Sequence, residues 1–141
     1  MIGIVITGHN HFASGLKSAL DLVVGQQENL IAVDFEKGDS TEILQEKLRS
    51  AILEVNSGDG VMCLTDLAGG SPFNNSSLLA HELGNVQVIG GTNIPMLISL
   101  VFEREKTLTD FAQSAVAHGL DGVKLFELKS KAKDISDEDG I

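Results

Sequence analysis

The sequence has no tryptophan, no tyrosine, two prolines and a single cysteine. One cysteine rules out an internal disulfide, so a packed core must hold the fold. Cys63 lies in the apolar run Val61 to Leu64 and reads as a buried, inert thiol. Basic residues are scarce, ten Lys and Arg against twenty Asp and Glu, for a formal charge of −10. Such a surface repels phosphate backbones and anionic lipid, which argues against nucleic-acid and membrane-surface partners. No apolar run has transmembrane length, and no basic region precedes the strand-sized run at the N-terminus. Neither membrane insertion nor a secretory signal is expected, and the reading is cytoplasmic. Repeats, low-complexity segments, dinucleotide fingerprints, P-loops and Gly-x-Ser-x-Gly elbows are missing too. No cofactor and no metal is expected.

What is present alternates between strand and helix signals. The apolar run Ile2 to Ile6 stops at Thr7-Gly8, read as a tight turn before His9, and a helical stripe follows from Phe12 through Leu16, Ala19, Leu20 and Val23 to Gly25. Leu30 to Phe35 is a second strand. Asp39 with Glu42 reads as the cap of a second helix with apolar positions Leu44, Leu48, Ala51, Ile52 and Val55. Val61 to Thr65 is a third strand ending at Asp66. Ser71-Pro72 reads as a helix start, with Ser as cap and Pro in the first turn. That helix runs to about Leu83. Val86 to Ile89 is the fourth strand, and a helix follows from Ile94 to Glu103. Thr107 with Asp110 caps a last helix, with a turn at Gly119 to Gly122. Val123 to Leu128 is a fifth strand candidate. Residues 1–128 thus form one domain, and 129–141 read as a charged tail.

Four β-α units with short connections imply an α/β fold: a mainly parallel open sheet with helices on both faces. The strand order common for such a chain is 2-1-3-4, with its switch point between strands 1 and 3. Their ends carry His9 and Asp66. An aspartate that accepts from one ring nitrogen fixes the tautomer and leaves the other nitrogen nucleophilic. The Gly69 and Gly70 backbone and Ser71, at a helix N-terminus, supply donors for an anion attached there. Together these make a phosphohistidine site. Taken singly, the parts read equally well as a loop histidine, a turn-capping aspartate and a plain connection. His9-Asn10-His11 is also a His-x-His pattern, but no further His-rich or Cys-rich cluster supplies ligands.

The motifs Thr7-Gly8-His9, Asp66-Leu-Ala-Gly69-Gly70-Ser71-Pro72-Phe73-Asn74 and Gly91-Thr92-Asn93-Ile94-Pro95-Met96-Leu97 fall at the ends of strands 1, 3 and 4. On these the chain resembles the enzyme IIA domain of the mannose family of the bacterial phosphoenolpyruvate-dependent sugar phosphotransferase system. The resemblance implies that His9 takes a phosphoryl group on Nε2 from the phosphocarrier protein HPr and passes it to the enzyme IIB component. It implies that Asp66 hydrogen-bonds the active histidine and that Gly69, Gly70, Ser71 and Asn10 hold the phosphoryl oxygens. At Asn10 several members have Gly. It further implies a homodimer in which an antiparallel edge strand, here Val123 to Leu128, is exchanged between subunits, and a separate IIA protein. Two alternatives stand beside it: a non-catalytic regulatory binding module of the same fold, and a metal-dependent hydrolase using His9 and His11.

Overall fold

The computed structural model of the chain describes residues 1–128. Strands β1 (Gly3–His9), β2 (Leu30–Phe35), β3 (Val61–Thr65) and β4 (Val86–Ile89) form a four-stranded sheet in the order β2-β1-β3-β4, and every pairing is parallel. The expected order is borne out. The connecting helices are α1 (Phe12–Val24), α2 (Thr41–Val55) and α3 (Ser71–Leu83), with α4 (Ile94–Leu100) and α5 (Leu108–Asp121) after β4.

Strand alternation divides the core in two. Ile4 and Ile6 of β1, with Met62 and Leu64 of β3, pack against Ala13 and Leu20 of α1, Leu97 of α4 and Phe111 of α5. Val5, Val33 and Cys63 point the other way, onto Leu44, Leu48 and Ile52 of α2 and Leu79 of α3. The central strands β1 and β3 are therefore apolar on both faces, as buried parallel strands must be. Each fully buried Leu or Ile contributes roughly 1.5–3 kcal/mol. Cys63 is fully buried too, and burial pushes its thiol up to about 12, which fits an inert thiol.

Several local expectations shift by a residue or more. Thr7-Gly8 is not the turn: β1 runs on through His9, because its backbone stays in register with β2 up to Phe35. The turn falls at Asn10, whose φ of 54° is a left-handed value that Asn tolerates. The α2 cap is Ser40, whose hydroxyl accepts from the Ile43 amide, while Asp39 closes the preceding turn on the Glu36 amide and pairs with Lys47. Gly70 occupies the cap of α3, so Ser71 is its first residue and makes no capping bond. The cap expected at Thr107 is present, its hydroxyl accepting from the Asp110 amide.

Helix α4 ends at Leu100, not Glu103, because the next residues are held by tertiary partners. Glu103 accepts from Lys106 Nζ at 2.9 Å, from Ser114 and from His118 Nε2 at 2.7 Å. Arg104 turns inward. Its buried guanidinium donates to the Ile2 carbonyl at 2.9 Å, the Asn29 carbonyl at 2.7 Å and the Glu28 carbonyl, while its own carbonyl accepts the Ile2 amide. Helix α5 continues through Gly119 because that position packs on Met96: an added Cβ would lie 2.7 Å from Met96 Cε.

The strand expected at Val123–Leu128 is not formed within the chain. A strand needs a ladder partner, and this segment leaves α5 unpaired, with Val123, Leu125, Phe126 and Leu128 exposed. Among the described residues the sheet is wholly parallel, without the antiparallel edge strand. The expected tail, 129–141, lies outside the described residues.

Two outcomes follow from this frame. Arg104→Ala removes three donors, one from the buried Ile2 carbonyl and two from the partly buried Glu28 and Asn29 carbonyls, and should cost about 2–4 kcal/mol, read as a lower urea midpoint at unchanged m-value. Burial alone would raise the Glu103 carboxyl, but Ser114, Lys106 and His118 outweigh it and hold the group down to about 2 from 4.5. Its contribution to stability is thus complete above 4.5 and is lost as pH falls toward 2. The gap in urea midpoint between the native chain and Glu103→Gln should narrow over that window.

A histidine held at the switch point

His9 is the last residue of β1, and Asp66 follows the last residue of β3. Because β1 and β3 are hydrogen-bonded neighbours, residues 57 apart in sequence meet. One carboxylate oxygen, Asp66 Oδ2, accepts twice from His9: from the backbone N–H at 2.9 Å and from ring Nδ1 at 2.8 Å. Burial on its own would raise the Asp66 carboxyl, but the two donors of His9, with the Leu67 amide, hold it below its ordinary value. Asp66 is therefore an ionised, acceptor-only partner at neutral pH. The proton is assigned to Nδ1, and Nε2 keeps its lone pair.

The ring is confined on two further sides. Phe35, in register with His9 on β2, meets it edge-on with centroids 6.0 Å apart and planes at 62°. Gly70 lies against the other edge, where a Cβ would stand 2.8 Å from His9 Cε1 and 3.5 Å from Nε2. The side chain is still 47 % exposed. Fixed position and open access coexist here.

The loop that carries Asp66 and Gly70 is fastened from several directions. The Gly70 amide bonds the Leu67 carbonyl at 3.1 Å, and Asn74 Nδ2 bonds the Gly69 carbonyl at 3.0 Å. Gly69 itself sits at φ 88°, a turn that an L side chain would strain. From the next loop, the Gly91 amide bonds the Asp66 carbonyl and the Thr92 amide bonds that of Thr65. Asn93 caps α4 through the Met96 amide. The Gly91 to Leu97 motif thus braces the site from behind.

His9 and Asp66 are brought into contact, and Gly69, Gly70 and Ser71 are gathered beside them at the start of α3. The amides of Gly70 and Asn10 are engaged, the latter by the Phe35 carbonyl at 2.8 Å. Ser71, as first residue of α3, has its hydroxyl free of any capping role. Phe35 was not singled out in the sequence, although the strand order 2-1-3-4 puts the end of strand 2 beside His9. His11 goes elsewhere. It stands at the start of α1, with Nδ1 at 3.5 Å from Asp34 Oδ2. Lys17 pairs with Asp21 along its own helix at 2.7 Å. Two surface grooves, one along β2 and α2 and one between β4 and α5, leave His9 outside their linings.

This is a doubly wound α/β domain with a carboxylate-held imidazole at its topological switch point. Comparison with known proteins narrows the class. A family model described as PTS system fructose IIA component matches residues 3–116. The PTS system mannose-specific EIIAB component of Escherichia coli is 34% identical over 134 residues, covering 94% of this chain and 42% of that protein. The PTS system fructose-specific EIIA component of Bacillus subtilis is 34% identical over 105 residues, 74% of this chain and 72% of that one. A solved EIIA of the phosphotransferase system from Streptococcus agalactiae superposes with a TM-score of 0.81 at 30% identity, covering 88% of this chain and 96% of its own. The chain belongs to the mannose family of EIIA components of the sugar phosphotransferase system. It spans less than half the length of the EIIAB relatives it matches. Among the described residues no helix is long and apolar enough to cross a membrane.

Gly70→Ala tests the confinement of the ring. Its φ of −77° suits alanine, so the fold should stay within about 1 kcal/mol, while the new methyl displaces the imidazole from Asp66. Long-range proton–nitrogen spectra should show His9 moving from one tautomer toward a mixture. An unchanged spectrum would mean that Gly70 does not confine the ring.

Proposed function

We propose that His9 is the phosphoacceptor of a cytoplasmic phosphoryl carrier, loaded by phospho-HPr and unloaded by the enzyme IIB component. The observation that carries this reading is the double hydrogen bond from His9 to Asp66 Oδ2. It leaves Nε2 as the one free lone pair of the ring, half-exposed where a partner's phosphohistidine can reach it.

The step is an in-line displacement. The Nε2 lone pair of His9 forms a bond to phosphorus as the nitrogen–phosphorus bond of the donor imidazole breaks, and the electron pair stays with the donor ring. No proton need move during the transfer. Nδ1 keeps its hydrogen, and the ionised Asp66 offsets the positive charge that builds on the ring. The phosphoryl oxygens lie toward the start of α3, where Ser71 Oγ, the Gly69 amide and the helix dipole favour negative charge, while the Gly70 and Asn10 amides stay with the Leu67 and Phe35 carbonyls. The donors here are neutral. A carrier gains nothing from clamping phosphate tightly in the ground state, because that would slow the second transfer. Unloading is the same displacement run toward a nucleophile of the IIB partner.

The exposed Val123, Leu125, Phe126 and Leu128 support a homodimer in which this segment pairs as an antiparallel edge strand with the second subunit. The domain so read spans 1–128, with 129–141 as tail. A EIIA component meets protein partners and not sugar, so its site need not encode which sugar is carried.

Intact-mass spectrometry after incubation with phosphoenolpyruvate, enzyme I and HPr tests the carrier reading. The native chain should gain one phosphoryl group, lost in mild acid, and His9→Ala should gain none. Undiminished phosphorylation of His9→Ala would overturn the assignment of His9. No gain by the native chain while HPr is phosphorylated would leave a regulatory binding module instead.

A further inference from the structure

His11 is two residues from His9 and serves a different cluster. Alternation along β2 sets Phe35 on the face of His9 and Asp34 on the opposite face, in line with Leu30 and Ala32 against α1. Glu36 follows at the end of the strand, two residues beyond Asp34, and returns to the side of Asp34. His11 enters from the third direction. It occupies the cap position of α1 but makes no capping hydrogen bond, so its imidazole is not committed to the helix.

His11, Asp34 and Glu36 each present one ligand atom, and these atoms all lie within 4.8 Å of one another. Asp34 is the fixed point. Its side chain is largely buried, and its oxygens are oriented by the Ser14 amide at 3.0 Å and the Ser14 hydroxyl at 2.6 Å. His11 and Glu36 are exposed and free to rotate toward it. A metal with nitrogen and oxygen ligands at roughly 2.0–2.2 Å draws such donors to about 3 Å of each other. That closure is within side-chain rotation for two exposed groups.

We propose that His11, Asp34 and Glu36 form a binding site for one divalent transition-metal ion of the zinc class, on the face of the rim opposite His9. One imidazole and two carboxylates are a borderline donor set. It suits zinc and its neighbours better than magnesium or calcium, which prefer oxygen alone. The three residues come from the start of α1 and the end of β2, so a bound ion ties these two segments together. Three protein ligands leave a coordination position for water or for an oxygen of an arriving partner. The ion's charge offsets Asp34 and Glu36, two carboxylates that flank the residue paired in register with His9. This inference does not depend on the phosphoryl-carrier reading, and its test reads binding alone.

Isothermal titration of the untagged full chain with zinc chloride at neutral pH should show one saturable site. His11→Ala and Glu36→Gln, both exposed and so tolerated by the fold, should each weaken it tenfold or more, and His9→Ala should leave it unchanged. Magnesium titrated alone should bind far more weakly. The proposal is overturned by lack of saturable binding at millimolar zinc, by affinity that survives both His11→Ala and Glu36→Gln, or by affinity lost in His9→Ala, which would place the metal on His9 and Asp66. Magnesium binding as tightly as zinc would also overturn it, since the imidazole would then play no part.

Discussion

The site rests on one carboxylate oxygen accepting two hydrogen bonds from the same residue. Asp66 Oδ2 holds both the backbone amide and the ring of His9. The backbone bond fixes where the side chain departs, and the ring bond fixes which way it turns. Neither is available unless β1 and β3 are neighbours, and they are neighbours only because the chain reverses its winding after β2. Such a reversal parts the loops on either side of it and opens a crevice at the carboxyl ends of the strands. The fold therefore supplies the crevice and the pairing in one stroke. The side chains need only be a histidine and an aspartate at the two strand ends.

The rest of the frame keeps that oxygen in place. The buried strands β1 and β3 set the distance between the two residues. The loops after β3 and β4 are tied to each other through Gly91 and Thr92, so the position of Asp66 depends on β4 as well. Gly90 lets those loops touch: a Cβ there would stand 2.7 Å from the Ala68 backbone nitrogen. Far from the site, Arg104 joins the amino ends of β1 and β2 to the turn after α4 through backbone carbonyls. A cation is buried at the amino ends of the strands and a largely buried anion stands at their carboxyl ends. Arg104 is matched to backbone carbonyls, while Asp66 accepts from one backbone amide and from the His9 ring.

Much of this was legible in the sequence, and the physical reasons differ by element. Strand identity and order were readable because buried parallel strands are short continuous apolar runs, and short connections restrict the topology. The pairing of His9 with Asp66 followed from that order. Helix ends were read less well. Ser40 caps α2 where Asp39 is expected to, and Gly70 caps α3 where Ser71 is, because several cap-competent residues stand side by side and only the tertiary path of the chain selects one. The end of α4 was misplaced because Glu103 and Arg104 are drawn off by partners distant in sequence, which no local pattern records. The strand at Val123–Leu128 reads as one by composition, yet a strand is defined by a partner, and the described residues of the single chain give it none.

The His-x-His pattern shows how a period of two is undone by a turn. Had the strand continued through His11, the two rings would have shared a face. The strand stops at His9, and the left-handed Asn10 swings the chain into α1, so the rings diverge to opposite sides of the sheet. Asp66 takes the first imidazole and Asp34 lies beside the second. One carboxylate accepts from a ring that is packed and half-covered. The other, Asp34, is largely buried and lies beside an exposed ring at the start of a helix. Two histidines two positions apart therefore sit in different surroundings, one ring held by Asp66 and half-covered, the other exposed beside Asp34. Asn10 carries that division, because its backbone amide bonds the Phe35 carbonyl while its φ turns the chain away. Glycine would permit the same turn but would leave it looser in the unfolded and folded states alike. Asparagine in its place narrows the backbone freedom of the segment that separates the two sites.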